Sequence, residues 1–209
     1  MDRQKNKYYY LKGIKNGMPI CLGYLAVSFT LGITARNAGM TAWQAMLTSL
    51  ACNASAGQYA GFTVIAAGGT YFEMVLMELV ANARYLLMSC SLSQKFSSET
   101  GLLHRLLVGF DVTDEIFGVA VSEPGKLNPF YNYGMMTVAI PGWSLGTFFG
   151  VIMGNILPAN IVSALSVGLY GMFLAIIIPP ARKNKVIAAL VTISMVSSYI
   201  FSRLPVISD

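Results

Sequence analysis

Asn53-Ala-Ser-Ala-Gly-Gln-Tyr59 interrupts an apolar stretch flanked by Ala45 to Cys52 on one side and Ala60 to Ala67 on the other. Two amides, a hydroxyl, a phenol and a glycine fall within seven residues. An unpaired polar group in hydrocarbon costs several kcal/mol, so such a patch faces protein, water or a ligand. Polar side chains on interrupted backbone at mid-membrane depth are characteristic of a solute site. This stretch therefore predicts a membrane helix broken near its centre, not a plain lipid-facing span.

The rest of the chain agrees with a membrane setting. Of 209 residues, 55% are hydrophobic and 11% charged, and the mean hydropathy is +0.60. Soluble domains carry about 25% charged residues. The fold expected is an all-α, polytopic integral membrane protein of the cell membrane. A basic cytoplasmic leader over residues 1–16 carries Arg3, Lys5, Lys7, Lys12 and Lys15, and a single transmembrane domain follows over 17–209. The leader shows no cleavage site of a signal peptide.

A crossing needs about 20 apolar residues. Candidates are Met18 to Ala35, Trp43 to Ala67, Thr70 to Leu92, Leu102 to Val121, Tyr133 to Ile156, Ile161 to Ile178 and Val186 to Phe201. The fourth is ambiguous because Asp111, Asp114 and Glu115 interrupt it. About seven crossings with the N-terminus in the cytoplasm satisfy the positive-inside rule. They put the leader, Lys126, Arg182, Lys183 and Lys185 inside, and Arg36, Lys95, Arg105 and Arg203 outside. Gly32-x4-Asn37 and Gly150-x4-Asn155 form a faint repeat, consistent with two three-helix units around a linker helix.

Several chemistries have little to draw on. Cys21, Cys52 and Cys90 lie in apolar segments at no metal-ligand spacing, and His104 is the only histidine. No metal and no cofactor is expected. No basic run is long enough for a phosphate groove, so the net charge of +5 reflects membrane orientation, with no nucleic-acid partner. No nucleophile elbow or phosphate loop occurs, so the chain does not read as an enzyme.

Four constellations remain. In Asn53 to Tyr59 a helix break exposes backbone N–H groups that suit a carboxylate. Gly57 supplies permissive backbone there, and Asn53, Ser55 and Gln58 supply donors and acceptors. The competing reading is interhelical glue. In the third segment Glu78 and Asn82 share a helix face. Arg84, beside Tyr85, lies deep enough to need a partner unless it snorkels. In the fourth segment Asp111 with Asp114 or Glu115 forms an acidic pair at helical spacing, suited to proton uptake. There the alternative is an ordinary helix cap at Thr113 or Asp111. The fourth constellation is Gly142, Gly146, Gly150 and Gly154, a smooth helix-packing stripe toward this chain or a partner.

The first three together resemble the AzlC family of branched-chain amino acid permeases. Asn53 to Tyr59 is similar to its "AGxxQF" stretch, and Asn82-Ala-Arg84-Tyr85-Leu-Leu to "N/D-x-R-H-x-L-Y". Phe110-Asp-Val-Thr-Asp114-Glu115-Ile-Phe117 is similar to "G-L-T-D-E-x-F". The departures are Gly57, Tyr85 where the family has His, Met88 where it has Tyr, and Asp111 where Gly is frequent. After Leu204-Pro205 many members continue into another apolar segment, which a partner would supply here.

The resemblance implies export of branched-chain and related apolar amino acids, driven by the membrane gradient, with a small AzlD-like membrane subunit. Substrate-binding residues would be Asn53, Ser55, Gly57, Gln58, Tyr59, Asn82, Arg84 and Tyr85. Proton coupling or ammonium binding would fall to Glu78, Asp111, Asp114 and Glu115. The alternative is a non-transporting membrane scaffold, with the glycine stripe as its working surface.

Overall fold

The computed structural model describes residues 3–154 and 184–201, with positions 156, 160, 174, 178, 181 and 182. Most of the sixth candidate segment, Ile161 to Ile178, lies outside the described residues, as do Asn155, Lys183 and Leu204-Pro205. The chain divides into two compact units, Met1–Tyr170 and Gly171–Asp209. In the first unit run α1 (Arg3–Asn37), α2 (Ala42–Cys52), α3 (Ser55–Ala66), α4 (Tyr71–Lys95), α5 (Leu102–Gly109), α6 (Asp114–Ser122) and α7 (Pro129–Met153). In the second lies α8 (Lys185–Phe201). The expected all-helical class holds for every named element. The basic leader continues without a break into the first apolar segment as one 35-residue helix.

Local sequence sets the helix starts. Thr41 with Gln44, and Thr70 with Glu73, form capping boxes at α2 and α4, each satisfying two otherwise orphaned donors. Asn128 caps α7, with Pro129 in its first turn, where the missing N–H costs nothing. Three described helices are long and apolar enough to cross a membrane: α1, α4 and α7. At 25 residues, α4 and α7 each reach about 37 Å, against a hydrocarbon core of about 30 Å. The 11 residues of α2 and 12 of α3 reach only about half that thickness.

Glycines fix the central pair. α1 and α7 run parallel, with Gly13 against Tyr131, Gly17 against Met135, and Gly150 against Phe29 and Gly32. Gly142 sits on Cys21, Gly146 on Leu25 and Ser28, and Gly154 on Ile33. A methyl at Gly146 or Gly150 would overlap the opposing main chain, so the backbones approach as closely as small residues allow. The stripe thus faces inward, onto a matching row on α1.

α4 runs the other way. Its last residue meets the start of α7, where Leu127 N donates to the Lys95 carbonyl at 2.9 Å. Lys95 Nζ donates to the Val121 and Glu123 carbonyls at 2.8 and 2.6 Å. Glu123 in turn binds Lys12 of α1 at 2.5 Å. The end of α4 therefore lies at the same end of the bundle as the start of α1.

These directions bear on the second and fourth of the seven candidate segments. α2 starts at the far end, just after Arg36, which donates to the Val151 carbonyl of α7 at 2.9 Å. It stops at Cys52, and Asn53 turns the chain in the left-handed conformation (φ 38°, ψ 42°). α3 then returns antiparallel to α4, with Gly57 beside Glu78 and Asn82, and Gly61 beside Met74. Gln58 donates to Ser49 across the tip at 2.6 Å, a contact that a straight helix cannot make over nine residues. The second segment is thus a hairpin with both ends at the far end.

The fourth segment is its counterpart from the opposite end. Arg105 of α5 donates to the Ser93, Ser97 and Thr100 carbonyls. α6 ends beside Glu123, so both ends lie with the N-terminus. Non-helical backbone at membrane depth is stable where protein buries it. Asn53 and Asp111, at the two tips, are 4% and 1% exposed.

Two consequences follow. Within the described part of the first unit, Arg3, Lys5, Lys7, Lys12, Lys15, Lys95, Arg105 and Lys126 gather at the N-terminal end, and Arg36 stands at the other. The elements also recur: α4 spans 71 to 95 and α7 spans 129 to 153, a spacing of 58, which also separates Asn53 from Asp111. The unit of recurrence is one long helix plus one hairpin, inverted from copy to copy as in many transport folds. The faint repeat from Gly32 to Asn37 and Gly150 to Asn155 ends at Asn155, outside the described residues.

Candidate functional site

The hairpin tips meet at the centre of the bundle. Asn53 Nδ2 donates to Asp111 Oδ1. Around this contact lie three polar systems, each joining residues far apart in sequence.

The first belongs to α3. Gln58, 2% exposed, accepts from Trp143 Nε1 at 2.9 Å and donates to Ser49 Oγ. Ser49 donates to Thr147 Oγ1 at 2.7 Å, and Thr147 donates to the Trp143 carbonyl at 3.1 Å. The network closes on itself. Gln58 is therefore a brace between the first hairpin and α7, with its amide already engaged. Removing either partner would strand a buried polar group at about 1–3 kcal/mol.

The second lies on α4. Asn82 Nδ2 donates to Glu78 Oε2 at 2.7 Å, as the four-residue spacing predicts. Gly57 packs onto this pair, and a methyl there would collide with both side chains. This corrects the role of Gly57. The left-handed turn is made by Asn53, while Gly57 provides the room for α4. Two positions after Asn82, Arg84 Nη2 binds Asp114 Oδ2 at 3.0 Å and stacks on the Tyr85 ring at 5.3 Å. The deep arginine thus has its partner.

The third is the second tip. Asp111, Asp114 and Glu115 do not share one helix face as their spacing suggested. Thr113 caps α6 by accepting from Ile116 N, so Asp111 stays in the preceding break while Asp114 and Glu115 form the first turn. The Tyr24 hydroxyl donates to Glu115 Oε2 at 2.6 Å and lies 2.5 Å from Thr113 Oγ1. Its ring packs edge-on against Trp143 at 5.2 Å. Asp114 thus has Arg84, Glu115 has Tyr24, and Asp111 has the Asn53 amide.

The starts of α3 and α6 differ. α3 begins after Ala54 with no side-chain cap and no acid in its first turn. Its first N–H groups have no intrahelical acceptor. α6 has both a cap and two acids. Ser55, half-buried, stands at the uncapped start. Tyr59 is 57% exposed and takes no part in the junction.

Tyr24, Ser49, Trp143 and Thr147 had not been singled out from sequence. Tyr24 and Trp143 carried a signal. Both are aromatics with a polar handle placed well inside apolar segments, whereas such residues ordinarily sit at membrane interfaces. Ser49 and Thr147 carried none.

Three long apolar helices and two hairpins with a buried polar junction define a polytopic membrane protein with broken helices. The chain belongs to the AzlC family, whose model, described as "AzlC protein", matches residues 19–157. That match takes in both hairpins. It is 30% identical over 182 residues to an "Uncharacterized membrane protein" of Archaeoglobus fulgidus, covering 86% of this chain and 80% of that one. It is 26% identical over 150 residues to "Inner membrane protein YgaZ" of Escherichia coli, covering 70% and 61%. An "Uncharacterized membrane protein" of Helicobacter pylori is 25% identical over 153 residues, with 70% and 66% covered. The chain thus spans less than two thirds of the length of the last two. No solved structure matches it.

Proposed function

We propose that this chain is a transporter of branched-chain and related apolar amino acids. It exports them, energised by the membrane proton gradient, with a small AzlD-like subunit. It resides in the cell membrane with the N-terminus in the cytoplasm. The observation that carries the reading is the unlike pair of helix starts at one junction. The uncapped start of α3, at Ser55, Ala56 and Gly57, suits a carboxylate. The second tip supplies carboxylates and freed carbonyls for an ammonium group, from Asp111, Asp114 and Glu115. Gln58, Asn82 and Arg84 position those elements. The gathering of basic residues at the N-terminal end supports the orientation.

Counterflow of labelled valine and leucine in proteoliposomes containing the chain and its small partner tests the activity. Saturable uptake against unlabelled substrate is expected, and no exchange of any apolar amino acid would refute it. Proton coupling through Asp114 or Glu115 predicts that transport by Asp114→Asn no longer responds to an imposed pH gradient. An undiminished response would reject that role. The scaffold reading gains no observation, because its working surface, the glycine stripe, is packed against α1.

A further inference from the structure

We propose that the Asn53–Asp111 junction is a binding seat for one small monovalent cation. The cation is either an alkali ion or the ammonium group of the substrate. The starting observation is a buried carboxyl with too few partners. Asp111 is 1% exposed. One of its oxygens accepts from the Asn53 amide. Its other oxygen, Oδ2, and Asn53 Oδ1 have no hydrogen-bond partner among the described residues. Both atoms belong to residues in direct contact, so the unpaired oxygens lie at one junction. A buried ionised carboxylate held by a single neutral amide is costly, by several kcal/mol, unless a cation joins it.

The surroundings select the kind of cation. The nearby guanidinium, Arg84, is engaged by Asp114, and Glu115 by Tyr24. α2 and α5 both end at the junction, at Cys52 and Gly109. Their last carbonyls lack intrahelical donors, and helix C-termini carry partial negative charge. The ligands on offer are one carboxylate, one amide oxygen and main-chain carbonyls, all hard oxygens. A transition metal prefers nitrogen or sulfur, while calcium takes about 6–8 oxygens and magnesium keeps several waters, more than this buried junction offers. One formal negative charge among neutral oxygens matches one positive charge.

The ammonium source rests on the transport reading above, whereas the alkali-ion source does not. Thermal unfolding of the full-length protein in detergent separates them. Salts of sodium, lithium and potassium are titrated against N-methylglucamine, and valine is compared with 3-methylbutanoate, its analogue lacking the amino group. The expected result is a saturable rise in melting temperature with one of the alkali ions, or with valine but not 3-methylbutanoate. Asp111→Asn, which keeps shape and removes the charge, should abolish that rise.

Asn53→Gly, which keeps the left-handed turn and removes the amide oxygen, should raise the half-saturating concentration about tenfold. It serves as the deciding variant if Asp111→Asn does not fold. A wild-type protein that responds to none of these ligands overturns the proposal. So does a response that survives in Asp111→Asn or is unmoved in Asn53→Gly, and so does stabilisation by protons alone. Valine flux without any cation or ammonium response would remove the seat and leave the transport reading intact. A cation response without amino acid flux would do the reverse.

Discussion

The two hairpins share one architecture and carry opposite chemistry. Each is a pair of helices of at most 12 residues that enters from one end of the bundle, turns near its centre and leaves by the same end. Each is followed by a 25-residue helix with a side-chain cap, Thr70 for α4 and Asn128 for α7. Yet the first tip is uncharged and its return helix uncapped, while the second holds three carboxyl groups and a capped return helix. The difference shows where the symmetry stops. The scaffold repeats because each hairpin needs a long helix beside it to bury its broken backbone. The tips diverge because a zwitterion, or an ion and a dipole, needs unlike ends.

The largest expected effect tests the hairpins themselves. Single cysteines at Asn37, Ala67, Glu99 and Lys126, in a protein with Cys21, Cys52 and Cys90 replaced by alanine, report sidedness to a membrane-impermeant thiol reagent. The hairpin fold places positions 37 and 67 on one side and 99 and 126 on the other, an all-or-none pattern. Seven crossings would instead pair 37 with 99 and 67 with 126. Labelling in that second pattern would dissolve the comparison between the tips.

Next in size are the braces that join each tip to a long helix. Arg84→Ala removes the guanidinium bound to Asp114, and Gln58→Ala strands Trp143 Nε1 and leaves Ser49 only its bond to Thr147. Both variants should reach the membrane in near-normal amount and lose valine efflux. Normal efflux from both would sink the assignment of the junction as the transport site. Equal loss is the informative outcome. It would mean that the neutral tip and the acidic tip must both be held in place.

The break at Asn53 to Tyr59 was legible because polar residues inside an apolar stretch have few explanations. The Glu78–Asn82 contact was legible because it is local, set by helix geometry. What stayed hidden was direction. A chain of apolar residues with a break at its middle has the same hydropathy whether it continues across or turns back. The turn depends on one backbone conformation, the left-handed φ of Asn53. Gln58 with Trp143, and Arg84 with Asp114, pair across 85 and 30 positions, beyond any local rule. The acidic trio was misplaced on one face because spacing alone does not reveal that Thr113 starts a new helix.

A change of intermediate size makes the first tip resemble the second. Ser55→Asp puts an acid into the first turn of α3, as Asp114 stands in that of α6. If the uncapped N–H groups receive the substrate carboxylate, a fixed carboxylate beside them competes for the same partial positive charge. The half-saturating concentration of valine should rise about tenfold, with maximal flux reduced far less. Ser55→Asn, equal in shape and uncharged, should stay near wild type. If both variants behave alike, the carboxylate does not sit at α3, and the contrast between the helix starts is without functional meaning.

The smallest effect is expected where a sequence motif and the fold disagree. Tyr59 belongs to the polar stretch that first marked the site, yet its side chain is 57% exposed on the outward face of α3, one position beyond the buried Gln58. Substitutions at exposed positions without partners cost within about 0.5 kcal/mol, or roughly twofold in an equilibrium. Tyr59→Phe and Tyr59→Ala should therefore leave valine efflux within that range. A loss as deep as that of Gln58→Ala would mean that α3 rotates during transport and brings Tyr59 inward. Such rotation would turn the static contrast between the tips into a difference between a moving hairpin and a fixed one.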